Sequence, residues 1–197
     1  MEEKKYAVLI DGDNISSKYL DSILNEMTKY GIATYKRIYC DFTSQQSSKW
    51  RRLVRDSGIQ AMQQFANTVG KNATDSTLII DAMDILYTGN VDGFCIVSSD
   101  GDFTRLAIRL KESGMDVIGM GESKTPRSFR AACTVFTDLE ILYEAESEDD
   151  EISTKGKKPA VKHNVVKVSE IENVIIEIIN ENNNNCLLYT SPSPRDA

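Results

Sequence analysis

Two pairs of aspartates, each arranged around a glycine, are the residues of this sequence best suited to chemistry. Asp11 and Asp13 follow one short apolar run, and Asp100 and Asp102 follow another. The intervening glycine permits a tight turn, so both carboxylates of a pair are able to face the same space. Carboxylates are hard oxygen ligands that suit Mg²⁺ or Mn²⁺. The two pairs therefore predict a site for a divalent metal.

A further acid, Asp75, stands in the first turn of a helix predicted near residues 74–88. Converging carboxylates repel one another unless a cation lies between them. Two divalent ions about 4 Å apart are able to activate a water and to stabilise the leaving oxygen of a phosphodiester. The alternative is purely structural, because aspartates also form turns and favour helix starts. Asp81 and Asp84, later in the same helix, are expected to be supporting or surface residues.

The rest of the composition narrows the chemistry. The single histidine, His163, lies in a Lys- and Pro-containing stretch, which argues against a His-rich zinc site or a His-activated nucleophile. The four cysteines form no CxxC pair, so a zinc ribbon and a redox motif are excluded, and buried free thiols are expected. No apolar run reaches membrane-spanning length and the N-terminus lacks a signal-peptide pattern, so a cytoplasmic protein is expected.

The elements that must position these acids alternate along residues 1–143. Short apolar runs predict strands near 6–10, 33–40, 59–65, 93–98, 115–120 and 133–136, and helices are predicted near 16–30, 47–57, 74–88, 103–113 and 127–131. This alternation is typical of an α/β fold with a mainly parallel sheet. In such folds functional residues gather at the carboxyl ends of the strands, which is where both aspartate pairs fall.

Charge divides the chain further. The formal net charge is −7, and six of the acids lie in residues 144–151, EAESEDDE. Such a run repels itself, so residues 144–167 are predicted to be a charged, disordered linker. An amphipathic helix is predicted at 168–185, the incomplete start of a second domain. Residues 186–197 break the pattern and resemble a vector- or assembly-derived tail.

Several motifs together resemble the NYN domain, a branch of the PIN-like nucleases. They are YAVLIDGDNI, GKNATDSTLIIDAMDILY, GFCIVSSDGDFTRLAIRLKESGMDVIGMG and KTPRSFRAAC, in family-like order over about residues 5–143. The resemblance implies a three-layer α/β sandwich with a parallel sheet of five to six strands, and a Mg²⁺- or Mn²⁺-dependent site that cleaves RNA. It implies that Asp11, Asp75, Asp100 and Asp102 are catalytic metal ligands, joined by Asp13. It also implies that Asn14 and Ser98, with Ser99 beside it, orient waters or the substrate phosphate.

Cations near the acids are the candidates for holding a phosphate. Lys124, Arg127 and Arg130 follow the fifth strand, Thr125 stands at a predicted helix start whose N–H groups suit a phosphate, and Lys71 lies close to Asp75 in sequence. A second basic group, with Lys49 and Arg52, surrounds Trp50, which would either stack a base or pack on the domain edge. No base-reading element is visible, so single-stranded RNA with weak sequence selectivity is the expected partner.

Two other functions remain open at this point. LIDGD also matches haloacid-dehalogenase-like phosphatases, in which Asp11 would be the covalent nucleophile. The chain would otherwise be an inactive RNA-binding module. SEIENVIIEIINENN resembles the first helix of a LOTUS (OST-HTH) domain, which often follows NYN domains of bacterial type. Because PIN-like domains often pair, the resemblance also suggests a homodimer.

Overall fold

Strands and helices alternate throughout residues 3–45, 47–64 and 73–154, the part of the chain that this computed structural model describes. The strands are β1 (Lys5–Asp11), β2 (Ile32–Cys40), β3 (Gln60–Gln63), β4 (Gly93–Val97), β5 (Asp116–Gly121) and β6 (Val135–Asp138). The helices are α1 (Leu20–Met27), α2 (Ser48–Ser57), α3 (Ala73–Thr88), α4 (Thr104–Glu112), α5 (Arg127–Ala132) and α6 (Leu139–Thr154). Two 3₁₀ turns, Ser17–Tyr19 and Gly101–Phe103, precede α1 and α4.

The six strands form one sheet in the order β3-β2-β1-β4-β5-β6, and every pair is parallel. This confirms the predicted α/β class and extends "mainly parallel" to fully parallel. The predicted helix at 16–30 is shorter than expected, because the chain first makes a 3₁₀ turn and then a helix that ends at Met27.

Hydrophobic side chains of β1 enter two cores, one on each face of the sheet. Ala7 and Leu9 pack in the core that α3, α4 and α5 cover. Val8 and Ile10 pack in the opposite core, to which α1, α2 and α6 contribute. Because a parallel strand at the centre of such a sheet is buried on both faces, its sequence is a continuous apolar run instead of an alternating one. The helices on both faces make the fold a three-layer sandwich.

The connections reverse direction between β1 and β4. From β1 the chain continues outwards to β2 and β3, whereas β4 lies on the other side of β1 and leads on to β5 and β6. The loops that leave β1 and β4 therefore diverge, and they leave a crevice at the carboxyl ends of these two strands. Crevices of this kind are where parallel α/β sheets bind their ligands. The loop after β1 contains Asp13, and the loop after β4 contains Asp100 and Asp102.

The acidic run after Tyr143 differs from its prediction. Helix α6 continues to Thr154, so residues 144–154 are helical where the charge pattern predicts the start of a linker. Ser22 of α1 donates a hydrogen bond to the carboxylate of Glu146 within this run, and Asn25 Nδ2 approaches its Oε1 at 3.5 Å. Residues 155–167 of the predicted linker, the predicted helix at 168–185 and the tail at 186–197 lie outside the described residues.

Two smaller expectations concern cysteines and membranes. Cys40, Cys95 and Cys133 are buried free thiols, as their apolar surroundings predict. Within the described ranges, no helix combines the length and apolar character needed to cross a bilayer.

Candidate metal centre

Three carboxylates converge at the crevice between β1 and β4. One oxygen from each of Asp75, Asp100 and Asp102 lies within 4.8 Å of the other two. Asp75 comes from the first turn of α3, whereas the other two come from the loop after β4. Asp75 and Asp100, which are 25 positions apart in sequence, thus meet because the start of α3 lies close to the carboxyl end of β4.

The convergence of negative charges is reflected in the pKa of Asp75. Its side chain is buried, and burial together with the negative charges of other aspartates raises its pKa to about 6. Those charges belong, in decreasing order, to Asp11, Asp100, Asp102 and Asp13. The other four predicted metal ligands therefore all act on the pKa of Asp75, although Asp11 and Asp13 are not members of the set within 4.8 Å.

Asp11 is held rigidly beneath this cluster. It is fully buried at the end of β1, and its Oδ2 accepts hydrogen bonds of 2.7 Å from Ser98 Oγ and from Asn14 Nδ2. Its Oδ1 accepts a longer hydrogen bond, 3.3 Å, from the backbone N–H of Asn14. Burial raises the pKa of Asp11, and these hydrogen bonds oppose that effect. The carboxylate is therefore fixed in direction and is charged at some energetic cost.

The loop after β4 places Asp100 and Asp102 by a local cap. Asp100 precedes the 3₁₀ turn, and its Oδ1 accepts a 2.9 Å hydrogen bond from the backbone N–H of Asp102. The Ser98 hydroxyl accepts a 3.0 Å hydrogen bond from the backbone N–H of Asp100. The structural role expected of turn aspartates is thus real for one oxygen of Asp100. It does not compete with metal binding, since a carboxylate has two oxygens.

This donor set fits a hard divalent cation. Three carboxylates approach one another, and the largest charge effects on the pKa of Asp75 come from other aspartates. A bound cation would supply the missing positive charge and lower the pKa of Asp75. Asp75, Asp100 and Asp102 are the residues placed to hold it, and Asp11 and Asp13 add negative charge around it.

The serines and the asparagine that the sequence predicts to orient waters or the substrate phosphate make hydrogen bonds within the loops. Asn14 is exposed but directs its amide to Asp11, and Ser98 is fully buried between Asp11 and the next loop. Ser99 Oγ accepts a 3.0 Å hydrogen bond from the backbone N–H of Glu122. That contact ties the loop after β4 to the loop after β5.

The predicted phosphate contacts after β5 are largely engaged within the protein. Arg130 donates to the carbonyls of Glu122, Ser123 and Thr125 and to the Asp138 carboxylate, at 3.1 to 3.2 Å. Lys124 Nζ lies 2.7 Å from Glu122 Oε2. Thr125 is buried, and its hydroxyl donates to the Glu122 carbonyl. Arg127 is exposed at the start of α5. Lys71 lies outside the described residues.

The close approach of the loop after β4 and the loop after β5 requires Gly121. A Cβ at this position would lie 2.6 Å from the Ser98 carbonyl oxygen and 2.6 Å from Thr125 Oγ1. Contacts this short are not tolerated, so any larger residue would push the loop after β5 away from the acids.

Trp50 is a supporting residue whose role the sequence left open between stacking and packing. The structure shows packing, because the indole is only 2% exposed and its Nε1–H donates to the Gly12 carbonyl at 3.0 Å. A hydrogen bond from α2 therefore stabilises the turn between Asp11 and Asp13. The signal in the sequence is that the only tryptophan sits among basic residues, which does not reveal its partner.

Asp81 also has a structural partner. It forms an ion pair with Arg37 and accepts a hydrogen bond from the Tyr39 hydroxyl, and these contacts fasten α3 to β2. Desolvation is the main reason that the pKa of Tyr39 is raised. Asp84 is exposed on the same helix. Asp81 therefore supports the site by fixing the position of α3, the helix that carries Asp75.

Comparison with known proteins agrees with this arrangement. A family model described as the NYN domain matches residues 5–140. The chain belongs to the NYN family. The family is part of the PIN-like nuclease superfamily, whose members typically use divalent metals, and the matched range contains every acid of the cluster. The LOTUS-like helix lies beyond this range and remains a prediction.

Two individual proteins are similar to this NYN chain, one in sequence and one in structure. It is 26% identical over 174 residues to the uncharacterized protein MJ0482 of Methanocaldococcus jannaschii, an alignment that covers 85% of this chain and 66% of that relative. The chain thus spans about two thirds of the length of that relative. A crystal structure of a protein of unknown function, VPA0982 from Vibrio parahaemolyticus, is similar with a TM-score of 0.59 and 19% identity. The alignment covers 70% of this chain and 96% of the Vibrio chain. At this level of identity, the similarity shows a shared fold.

Proposed function

We propose that this NYN protein is a Mg²⁺- or Mn²⁺-dependent ribonuclease that hydrolyses phosphodiester bonds in single-stranded RNA with weak sequence selectivity. The observation that carries the proposal is the set of three carboxylates within 4.8 Å, beside a fourth that is fully buried. Family membership supports the nuclease class, and the carboxylate cluster supports metal dependence.

Each residue has a distinct task in this proposal. A divalent ion bound by the acids would supply Lewis-acid chemistry for phosphodiester hydrolysis. Asp75, Asp100 and Asp102 hold it at the mouth of the crevice, and Asp11 adds a fixed negative charge below them. Ser98 and Asn14 hold Asp11 in one orientation. They are positioning residues because their polar groups face Asp11 and the loops.

A phosphatase that uses Asp11 as nucleophile is less compatible with the geometry. A nucleophilic oxygen must reach the phosphorus atom, whereas Asp11 is fully buried and both its oxygens accept hydrogen bonds. Trapping of a beryllofluoride adduct at Asp11 would reverse this preference.

The test is cleavage of a fluorescently labelled single-stranded RNA in Mn²⁺ or Mg²⁺, with EDTA as the blank. Asp75→Asn and Asp100→Asn should each lower the rate by more than about 100-fold, because loss of a ligand removes the metal. Asp84→Asn is the matched control, since Asp84 is exposed on the same helix as Asp75. Equal residual activity in all variants would contradict the proposal, and RNA binding without cleavage would favour an inactive binding module.

A homodimer is a separate proposal, drawn from the pairing habit of PIN-like domains. Sedimentation velocity on the full chain tests it directly. A single monomeric species at tens of micromolar would contradict it.

A further inference from the structure

A polar cavity of about 460 Å³ opens beside the acidic loop. It lies between the residues that follow β1 and the start of α2, and its lining includes Asp13, Asn14, Ser16, Ser48 and Lys49. Asp13 therefore belongs both to the charged surroundings of Asp75 and to the wall of this cavity.

The chemistry of the lining suits a ribose-phosphate backbone. Ser16, Ser48 and Lys49 are exposed and offer two hydroxyls and an ammonium group. Ser47 is excluded as a contact, because its hydroxyl donates to the carbonyls of Asp41 and Ser44. The buried Trp50 indole stiffens the wall through its hydrogen bond to the Gly12 carbonyl.

The basic surface continues from the cavity along α2. Lys49 and Arg52 stand three residues apart, so they lie on neighbouring positions of one helix face, and both are exposed. Arg51 is engaged elsewhere, since its Nη1 donates to the Phe42 carbonyl at 2.8 Å. On the other side of the acids, Arg130 and Lys124 are occupied by protein partners. The α2 side therefore offers the better path for a polyanion.

A second cavity among the described residues has a more apolar lining. Its volume is about 530 Å³, and it lies between α4 and α5, where Ile108, Ala131 and Ala132 line it beside Lys111. None of the metal-centre acids lines it. It therefore serves as a comparison site of similar size.

We infer that the RNA strand runs from the acidic cluster through the cavity beside α2, with Lys49 and Arg52 contacting its phosphates. This inference rests on the proposed ribonuclease function. It adds a direction for the strand on the surface and two residues that bind RNA without taking part in the chemistry.

Binding of a fluorescein-labelled oligouridine to the full chain in EDTA measures this path apart from cleavage. Lys49→Ala and Arg52→Ala should each weaken binding by about 3- to 10-fold. Each should also reduce the slope of log K against log[salt] by about 0.7, the value for one lost phosphate contact on a single strand. Lys111→Ala, at the comparison cavity, should change neither. An effect of Lys111→Ala equal to that of Lys49→Ala would overturn the path.

Photo-crosslinking with 4-thiouridine RNA gives an independent readout. The expected crosslinks fall in the peptide that contains Ser48 and Lys49, and crosslinks confined to the peptide with Ile108 and Lys111 would overturn the inference. The two proposals fail separately. Absence of cleavage with Lys49-dependent binding refutes the ribonuclease, whereas cleavage that is indifferent to Lys49 and Arg52 refutes the path.

Discussion

The hydroxyl of Ser98, at the end of β4, donates a 2.7 Å hydrogen bond to Oδ2 of Asp11, at the end of β1. The same hydroxyl accepts a hydrogen bond from the backbone N–H of Asp100. One serine thus links the buried Asp11 of the first motif to Asp100 of the second, and the two adjacent strands position both acids.

Ser98→Ala should damage this centre without destroying the fold. The substitution leaves Asp11 with one donor fewer and leaves the Asp100 N–H unpaired, which should lower the free energy of unfolding by about 1–2 kcal/mol. Cleavage should fall by about 10- to 100-fold, the usual effect of losing a partner of a metal-site residue. Chemical denaturation and the RNA assay measure the two effects. Ser128→Ala, at an exposed position of α5, is the control, and equal activity of the two variants would contradict the link.

The raised pKa of Asp75 predicts an unusual pH dependence of stability in EDTA. Its folded pKa of about 6 exceeds the ordinary aspartate pKa of 3.8, so the folded state binds more protons between these values and stability falls as pH rises through them. From about pH 4.5 to about pH 7 this group should cost about 2 kcal/mol. Urea unfolding should show this loss for the wild type, and Asp75→Asn should lack it. Identical pH profiles would contradict the convergence of charges.

Buried Trp50 makes a prediction about fluorescence. Because it is the only tryptophan, intrinsic emission reports on it alone. Emission should be blue-shifted and poorly quenched by acrylamide, and RNA should change it little, since the indole packs against the turn at Gly12. The urea-unfolded protein supplies the accessible reference. Strong quenching by RNA would instead indicate base stacking on the indole.

Arg130 should be a stability residue. Arg130→Ala removes the guanidinium that donates to three loop carbonyls and to Asp138, so the free energy of unfolding should fall by about 2–3 kcal/mol. Arg130→Lys should rescue little, because an ammonium lacks the planar fork of the guanidinium. Arg127→Ala, from the start of the same helix, should stay within about 0.5 kcal/mol of the wild type. Denaturant titrations that rank these variants otherwise would show that Arg130 does not hold the loop.

The fold and the acids of the site were accessible from the sequence because both depend on local patterns. Apolar runs that alternate with amphipathic segments determine the strands and helices, and the strand-end rule then brings Asp11 and Asp100 together. Asp75 was accessible from its motif context. These residues are identified by their neighbours in sequence.

The supporting residues were not accessible in this way. Arg130 binds carbonyls of its own preceding loop, Trp50 binds a carbonyl 38 positions away, and Ser98 binds Asp11 across the sheet. Residue type alone does not distinguish an arginine that binds loop carbonyls from one that binds a substrate phosphate. The partners of Glu146 in α6 are likewise supplied by α1, more than 120 positions earlier in the chain.

Anomalous diffraction from a Mn²⁺-soaked crystal tests the central claim most directly. A peak should lie about 2.1–2.3 Å from carboxylate oxygens of Asp75, Asp100 and Asp102, as expected for a hard divalent ion on oxygen ligands. Asp75→Asn crystals soaked in parallel should lose or weaken this peak, whereas Asp84→Asn crystals should retain it. A fully soaked wild-type crystal with no peak at these three residues, or with Mn²⁺ bound only elsewhere, would contradict the account.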